Sequence, residues 1–130
     1  MKIIALDIGD VHTGVAYADD TNLIAIPYRT VQTHELCDWF AKLIAQEPIT
    51  TVIVGYPKTM RGGQSAQTLR TVASKEVFEE RFPHIRWLLI DERLTSKQAQ
   101  SIMRETKSNK KKEHEIAAAI ILQTYLNSLN

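Results

Sequence analysis

The chain of 130 residues carries 16 Lys and Arg against 15 Asp and Glu, a formal net charge of +1, so overall charge does not mark it as a nucleic-acid binder. With 44% hydrophobic and 24% charged residues it has the balance of an ordinary globular protein, and residues 1–130 are expected to form one domain around one core. No apolar run is long enough to span a bilayer, and the single cysteine, Cys37, cannot close an internal disulfide, which fits a reducing cytoplasm. Met1 leads directly into strand-like sequence, so a secretory signal is not expected.

The opening stretch organises the rest. Ile3-Ile4-Ala5-Leu6 is a continuous apolar run, read as a strand buried on both faces. It ends on Asp7, a costly place for a charge unless a partner or a cation compensates it, although Asp also caps turns. Gly9 lets the chain turn, and 13–18 forms a second strand whose Gly14-Val15-Ala16 start lets backbone pass close by. After the turn at 19–22, residues 23–28 form a third strand, with Pro27 setting its end at an edge or bulge. Short turns make these three an antiparallel meander.

The period then changes. Leu36, Trp39, Phe40, Leu43 and Ile44 recur at helical spacing, with Thr33 as a plausible N-cap and Pro48 beyond the stop. Cys37 falls within this helix and reads as a core or half-buried thiol. Residues 51–54 are a short buried strand ending at Gly55. A Pro- and Gly-containing loop follows over 56–64, and then a helix over 65–82 carries Leu69, Val72, Ala73 and Val77 at helical spacing. Residues 85–90 form the last strand, which also ends in acids, Asp91-Glu92. Thr95-Ser96-Lys97-Gln98 matches a capping box that opens a helix with Ala99, Ile102 and Met103 inward. A polar linker spans 106–112, and Glu113 begins a final helix with apolar Ile116, Ile120, Ile121 and Leu126. Strand-helix-strand units imply parallel pairing, so the expected fold is an α/β domain, a mixed sheet flanked by helices in three layers.

Two strands therefore end in carboxylates, and open α/β sheets place their sites at such ends. Asp7 and the Asp91-Glu92 pair would repel at one sheet edge without a cation between them. Hard oxygen ligands suit Mg²⁺ or Mn²⁺, and two such ions about 4 Å apart clamp an in-line displacement at phosphorus. The plainer alternative is that Asp91-Glu92-Arg93 is a surface ion-pair segment. Net charge is low, but its distribution is uneven: Arg93, Lys97, Arg104, Lys107, Lys110, Lys111 and Lys112 face one acid, Glu105, over 93–112, a segment able to bind phosphates or to be a solvated face. Zinc motifs, a Walker loop and a hydrolase elbow are all missing from the sequence.

Leu6-Asp7-Ile8-Gly9 with Gly14-Val15-Ala16, Val54-Gly55-Tyr56-Pro57 with Met60-Arg61-Gly62, Asp91-Glu92-Arg93-Leu94-Thr95-Ser96, and Ile116-Ala117-Ala118 with Ile121-Leu122-Gln123 together resemble the YqgF family of RNase H-like nucleases. The resemblance spans essentially the whole chain. It implies an RNase H-like fold with a five-stranded mixed sheet, and a metal-dependent nuclease that uses Mg²⁺ or Mn²⁺. Its ligands are implied at Asp7, at Glu92 with Asp91 adjacent, and at the position two residues before Ile116. Here that position is His114 where the family carries Asp, and imidazole suits Mn²⁺ better than Mg²⁺. His12 and Arg61 also depart from the family's usual Arg and Asp. With Arg93, Lys107, Lys110, Lys111 and Lys112 they are the expected nucleic-acid contacts. The implied substrate is a precursor of 16S ribosomal RNA, cut at its 5′ end during ribosome assembly by a cytoplasmic monomer or weak dimer. Two alternatives stand beside it: a resolvase of branched DNA, and a non-catalytic nucleic-acid-binding module, which His114 makes credible. An actin-like ATPase is remote, since such enzymes bind nucleotide between two domains of this kind.

Overall fold

The computed structural model describes residues 2–19, 21, 23–56, 66–92, 101 and 112–129. Five strands, β1 (Ile3–Ile8), β2 (His12–Ala18), β3 (Ile26–Gln32), β4 (Thr51–Tyr56) and β5 (Arg86–Asp91), form one sheet in the order β3-β2-β1-β4-β5. β1 pairs antiparallel with β2, and β2 with β3; β1 pairs parallel with β4, and β4 with β5. Helices α1 (Leu36–Gln46), α2 (Ala66–Arg81) and α3 (Glu113–Ser128) cover the sheet. This is the mixed three-layer RNase H-like architecture expected from the sequence. The loop expected up to residue 64 and the helix expected from 95 lie almost entirely outside the described residues.

Successive strand residues point to opposite faces, and the strands use this to build two different cores. Ile4, Leu6, Ile8, Val15, Val52, Val54 and Trp87 face α1 and α2, packing with Leu36, Phe40, Leu43, Phe78 and Phe82. Ala5, Ala16, Ala18 and Ile53 face α3 and meet Ala118, Ala119, Ile121, Leu122 and Leu126. Phe40 stands at the centre of the first core. Its ring lies 5.5 Å from both Phe82 and Trp87 and 6.2 Å from Phe78.

Three local expectations are corrected. The third strand was expected over 23–28 and runs Ile26–Gln32 instead. Gln123 on α3 captures the preceding segment, accepting from the Ala25 amide at 3.0 Å and donating to the Leu23 carbonyl at 3.3 Å. Pro27 does sit on an edge strand, and the β2–β3 register shifts beside it, between Val15 and Ala16. Thr33 is not the N-cap of α1: a short 3₁₀ turn over Thr33–Glu35 precedes that helix. The Thr33 hydroxyl instead donates to the Gly9 carbonyl at 2.8 Å. On α2 the inward face is turned from the expected one. Leu69 and Val77 are exposed, while Thr68, Thr71 and Phe78 are buried, because the aromatic anchors Phe78 and Phe82 set the helix rotation. Cys37 is half-buried, as expected, and Arg81 Nη1 donates to its Sγ.

Candidate active site

Asp7 is the last α3-facing residue of β1, and a glycine stands on either side of it. In register it pairs with Gly14 of β2 and with Gly55 of β4. Both glycines are filled by their surroundings. A Cβ on Gly14 would run into the backbone carbonyl of His114 and come within 2.9 Å of the Glu115 nitrogen. The first turn of α3 therefore lies directly on β2, beside Asp7. A Cβ on Gly55 would meet the Ile121 side chain and stand 3.3 Å from Glu92 Oε1. Glu92 thus reaches over the Gly55 backbone toward Asp7.

Strand alternation explains why Glu92, and not Asp91, makes this approach. Trp87 packs in the aromatic core while Leu88 and Ile90 pack toward α3. Continuing that alternation puts Glu92 on the α3 face with Asp7 and Asp91 on the other. Asp91 is nonetheless buried, and its charge is felt by its neighbour. Burial first, then a hydrogen bond with Asp7, then the charges of Asp7 and Asp91 push the Glu92 carboxyl from its ordinary 4.5 up to about 8. These causes all favour the protonated form of Glu92, which can donate to Asp7. The positive end of the α3 dipole lies beside the same carboxylate, and Glu113 and Glu115 occupy that first turn.

Of the expected ligands, Asp7 and Glu92 are in direct contact, and His114 packs against His12. Its exposed ring stacks on that of His12, with centroids 5.2 Å apart and planes at 27°. Among the described residues no group of three or more His, Cys, Asp or Glu side chains could hold a metal ion. With its own carbonyl against the Gly14 position, His114 has its ring at the β2 rim beside His12. His12 and Lys112 are the expected nucleic-acid contacts within the described residues, at the start of β2 and at the N-cap of α3. Arg61, Arg93, Lys107, Lys110 and Lys111 lie outside them. The sequence marks Gly55 only as a strand end; its pairing with Asp7 emerges once β4 is placed beside β1.

The described chemistry suits a cation. Two contacting carboxyl groups, one pushed toward its protonated form by burial and then by the other, form an all-oxygen donor pair of the kind that hard divalent ions take.

Comparison with known proteins places the chain in a family. The family model described as RuvX, Holliday junction resolvase, matches residues 1–128. A Bacteroides thetaiotaomicron protein named "Putative pre-16S rRNA nuclease" is 38% identical over 133 residues, covering 98% of this chain and 96% of the relative. A Rubrobacter xylanophilus protein of the same name is 37% identical over 127 residues, covering 96% and 91%. Among solved structures, T. thermophilus RuvC in complex with a Holliday junction substrate superposes with a TM-score of 0.68 at 16% identity, over 99% of this chain and 96% of that one. Fowlpox virus resolvase, in complex with Holliday junction DNA, gives 0.60 at 14% identity, over 99% of both chains. At such identities these two show the shared fold.

Proposed function

The chain belongs to the RuvX family and is a nuclease, and from that premise we propose that it hydrolyses phosphodiester bonds of pre-16S ribosomal RNA at the Asp7–Glu92 pair. The observation that carries the assignment of the site is the meeting of two strand-end carboxyl groups, Asp7 and Glu92, across the Gly55 backbone. The named relatives support RNA as the substrate. The family description and the fold neighbours support a second reading, branched DNA, at the same site.

Asp7 and Glu92 are the residues that would hold a divalent cation, Mg²⁺ or Mn²⁺. When bound, such ions supply Lewis-acid polarisation of the phosphoryl group and, as a pair, a clamp on its attacking and leaving oxygens. The chain's own part is to keep the two carboxyl groups together and to manage one proton. Gly14 and Gly55 leave the room that brings α3 and Glu92 to Asp7. The proton held between Glu92 and Asp7 must leave when a cation enters, so cation uptake releases a proton and strengthens with rising pH. The stacked His12 and His114 rings form the rim of the site, where they can meet the substrate strand.

The test is cleavage of a pre-16S leader RNA and of a four-way DNA junction by wild type and Asp7→Asn, with each metal. Wild type cuts the RNA, and Asp7→Asn loses on the order of 10²-fold or more of that activity, as expected for a group closer to the metal than the outer shell. Equal cleavage by Asp7→Asn would overturn the site. Cleavage of the junction alone would transfer the function to the second reading.

A further inference from the structure

On the other face of the β1 end from Asp7, a pocket of about 140 Å³ opens between the Gly9–Asp10 turn, Thr33, and Arg70, Thr71 and Ser74 of α2. We propose that this pocket binds a phosphodiester group of the substrate strand, with Arg70 as its ligand and Asp10 as the group displaced from Arg70 when the phosphate enters. The identity of the strand rests on the nuclease reading above; the anion site itself rests on four features of this pocket.

First, its wall is rigid. The Gly9 amide donates to the His12 carbonyl at 3.0 Å, the Thr33 amide to the Val11 carbonyl at 2.8 Å, and the Thr33 hydroxyl to the Gly9 carbonyl at 2.8 Å. Gly9 can carry no side chain, since a Cβ would lie 2.6 Å from the His12 carbonyl oxygen, so the tight turn that walls the pocket depends on it. Second, the volume is sufficient: roughly 10–15 Å³ on this measure already holds a water.

Third, the cation is present and weakly committed. Arg70 Nη2 lies 3.0 Å from Asp10 Oδ1, yet the two side chains are 58% and 69% exposed. An ion pair this open to water contributes little, whereas a guanidinium takes a phosphate through two parallel hydrogen bonds. Ser74, one helical turn after Arg70, offers a hydroxyl from the same side of α2. Fourth, the place is near. Gly9 follows Asp7 by two residues, about 7 Å along an extended chain, so an anion here lies at the same end of β1 as Asp7, across the sheet edge from it.

A purely structural role makes a different prediction. If the Arg70–Asp10 pair only ties α2 to the turn, removing either partner does the same harm. If Asp10 guards an anion site, the two variants act in opposite directions. The experiment titrates dimethyl phosphate into the ¹⁵N-labelled full chain, as wild type, Asp10→Asn and Arg70→Gln, and then measures binding of a fluorescent single-stranded RNA. Dimethyl phosphate is expected to shift the Gly9, Asp10 and Ser74 amides and the Arg70 Nε–H. Asp10→Asn should bind it and the RNA roughly 2- to 5-fold more tightly, the worth of an exposed pair no longer to be broken. Arg70→Gln should lose the shifts and lower the salt slope of RNA binding by about one. No shift around the pocket, or weakening by both variants alike, overturns the proposal. Shifts that behave as stated while no protein binds RNA uphold the anion site and refute the RNA reading alone.

Discussion

The two faces of one sheet have been given opposite materials. Toward α1 and α2, β1 sends Ile4, Leu6 and Ile8, β4 sends Val52 and Val54, and these meet Phe40, Phe78, Phe82 and Trp87. Toward α3, the same strands send Ala5, Asp7, Ile53 and Gly55, and meet Ala118 and Ala119. Aromatic rings fill volume and resist truncation. Alanine and glycine fill little, but they let a helix lie on a strand with backbone against backbone. The difference teaches that a single period of two divides stability from chemistry: alternate residues anchor the domain on one face and, on the other, draw a helix end and a second strand's acid onto Asp7.

The largest way to break this comparison is on the aromatic face. Phe40→Ala should cost about 3–5 kcal/mol, a large share of the 5–15 kcal/mol typical of a domain, read from a urea melt. Cleavage by the fraction still folded should be retained. Next comes the small-residue face. Gly14→Val forces the α3 backbone off β2, with an expected cost of about 1–3 kcal/mol and loss of cleavage even where the protein is folded. Gly55→Ala should be milder in stability, because what it meets first is the movable end of Ile121. If Gly14→Val left activity intact, close approach of α3 would not be what assembles the site.

The smallest effect is a pH dependence. The folded chain raises Glu92 from 4.5 to about 8, so between those values it holds a proton the unfolded chain has released. The contribution to stability is fully present below about 4.5 and is lost as pH rises through about 8. In EDTA, the melting temperature of wild type should therefore fall more steeply from pH 5 to pH 8 than that of Asp7→Asn, which lacks the acceptor and the charge. Identical slopes would show that the pair is not coupled.

Much of this was legible in the sequence, and the exceptions have physical causes. Apolar runs ending in Asp7 and in Asp91-Glu92 announced two strand ends with acids, and the 3.6-residue spacing of Leu36, Phe40 and Leu43 announced α1. Contacts between distant residues were not legible. Gln123 sets the start of β3 by hydrogen bonding to residues about 100 positions earlier, and no local pattern in 23–28 reports it. The choice between Asp91 and Glu92 needed the pairing of Gly55 with Ile90, since alternation has meaning only once the faces are assigned. Nor was the direction of the His114 ring legible, since it depends on the contact between its carbonyl and Gly14.

The central proposal is that Asp7 and Glu92 hold a proton between them that a divalent cation would displace, and the most direct measurement is the titration of the Glu92 side-chain carboxyl by ¹³C NMR, with and without Mg²⁺. The account predicts a midpoint near 8 in EDTA and a fall into the acid range when Mg²⁺ is added. A midpoint near 4.5 without metal, or one that Mg²⁺ leaves unmoved, would contradict it.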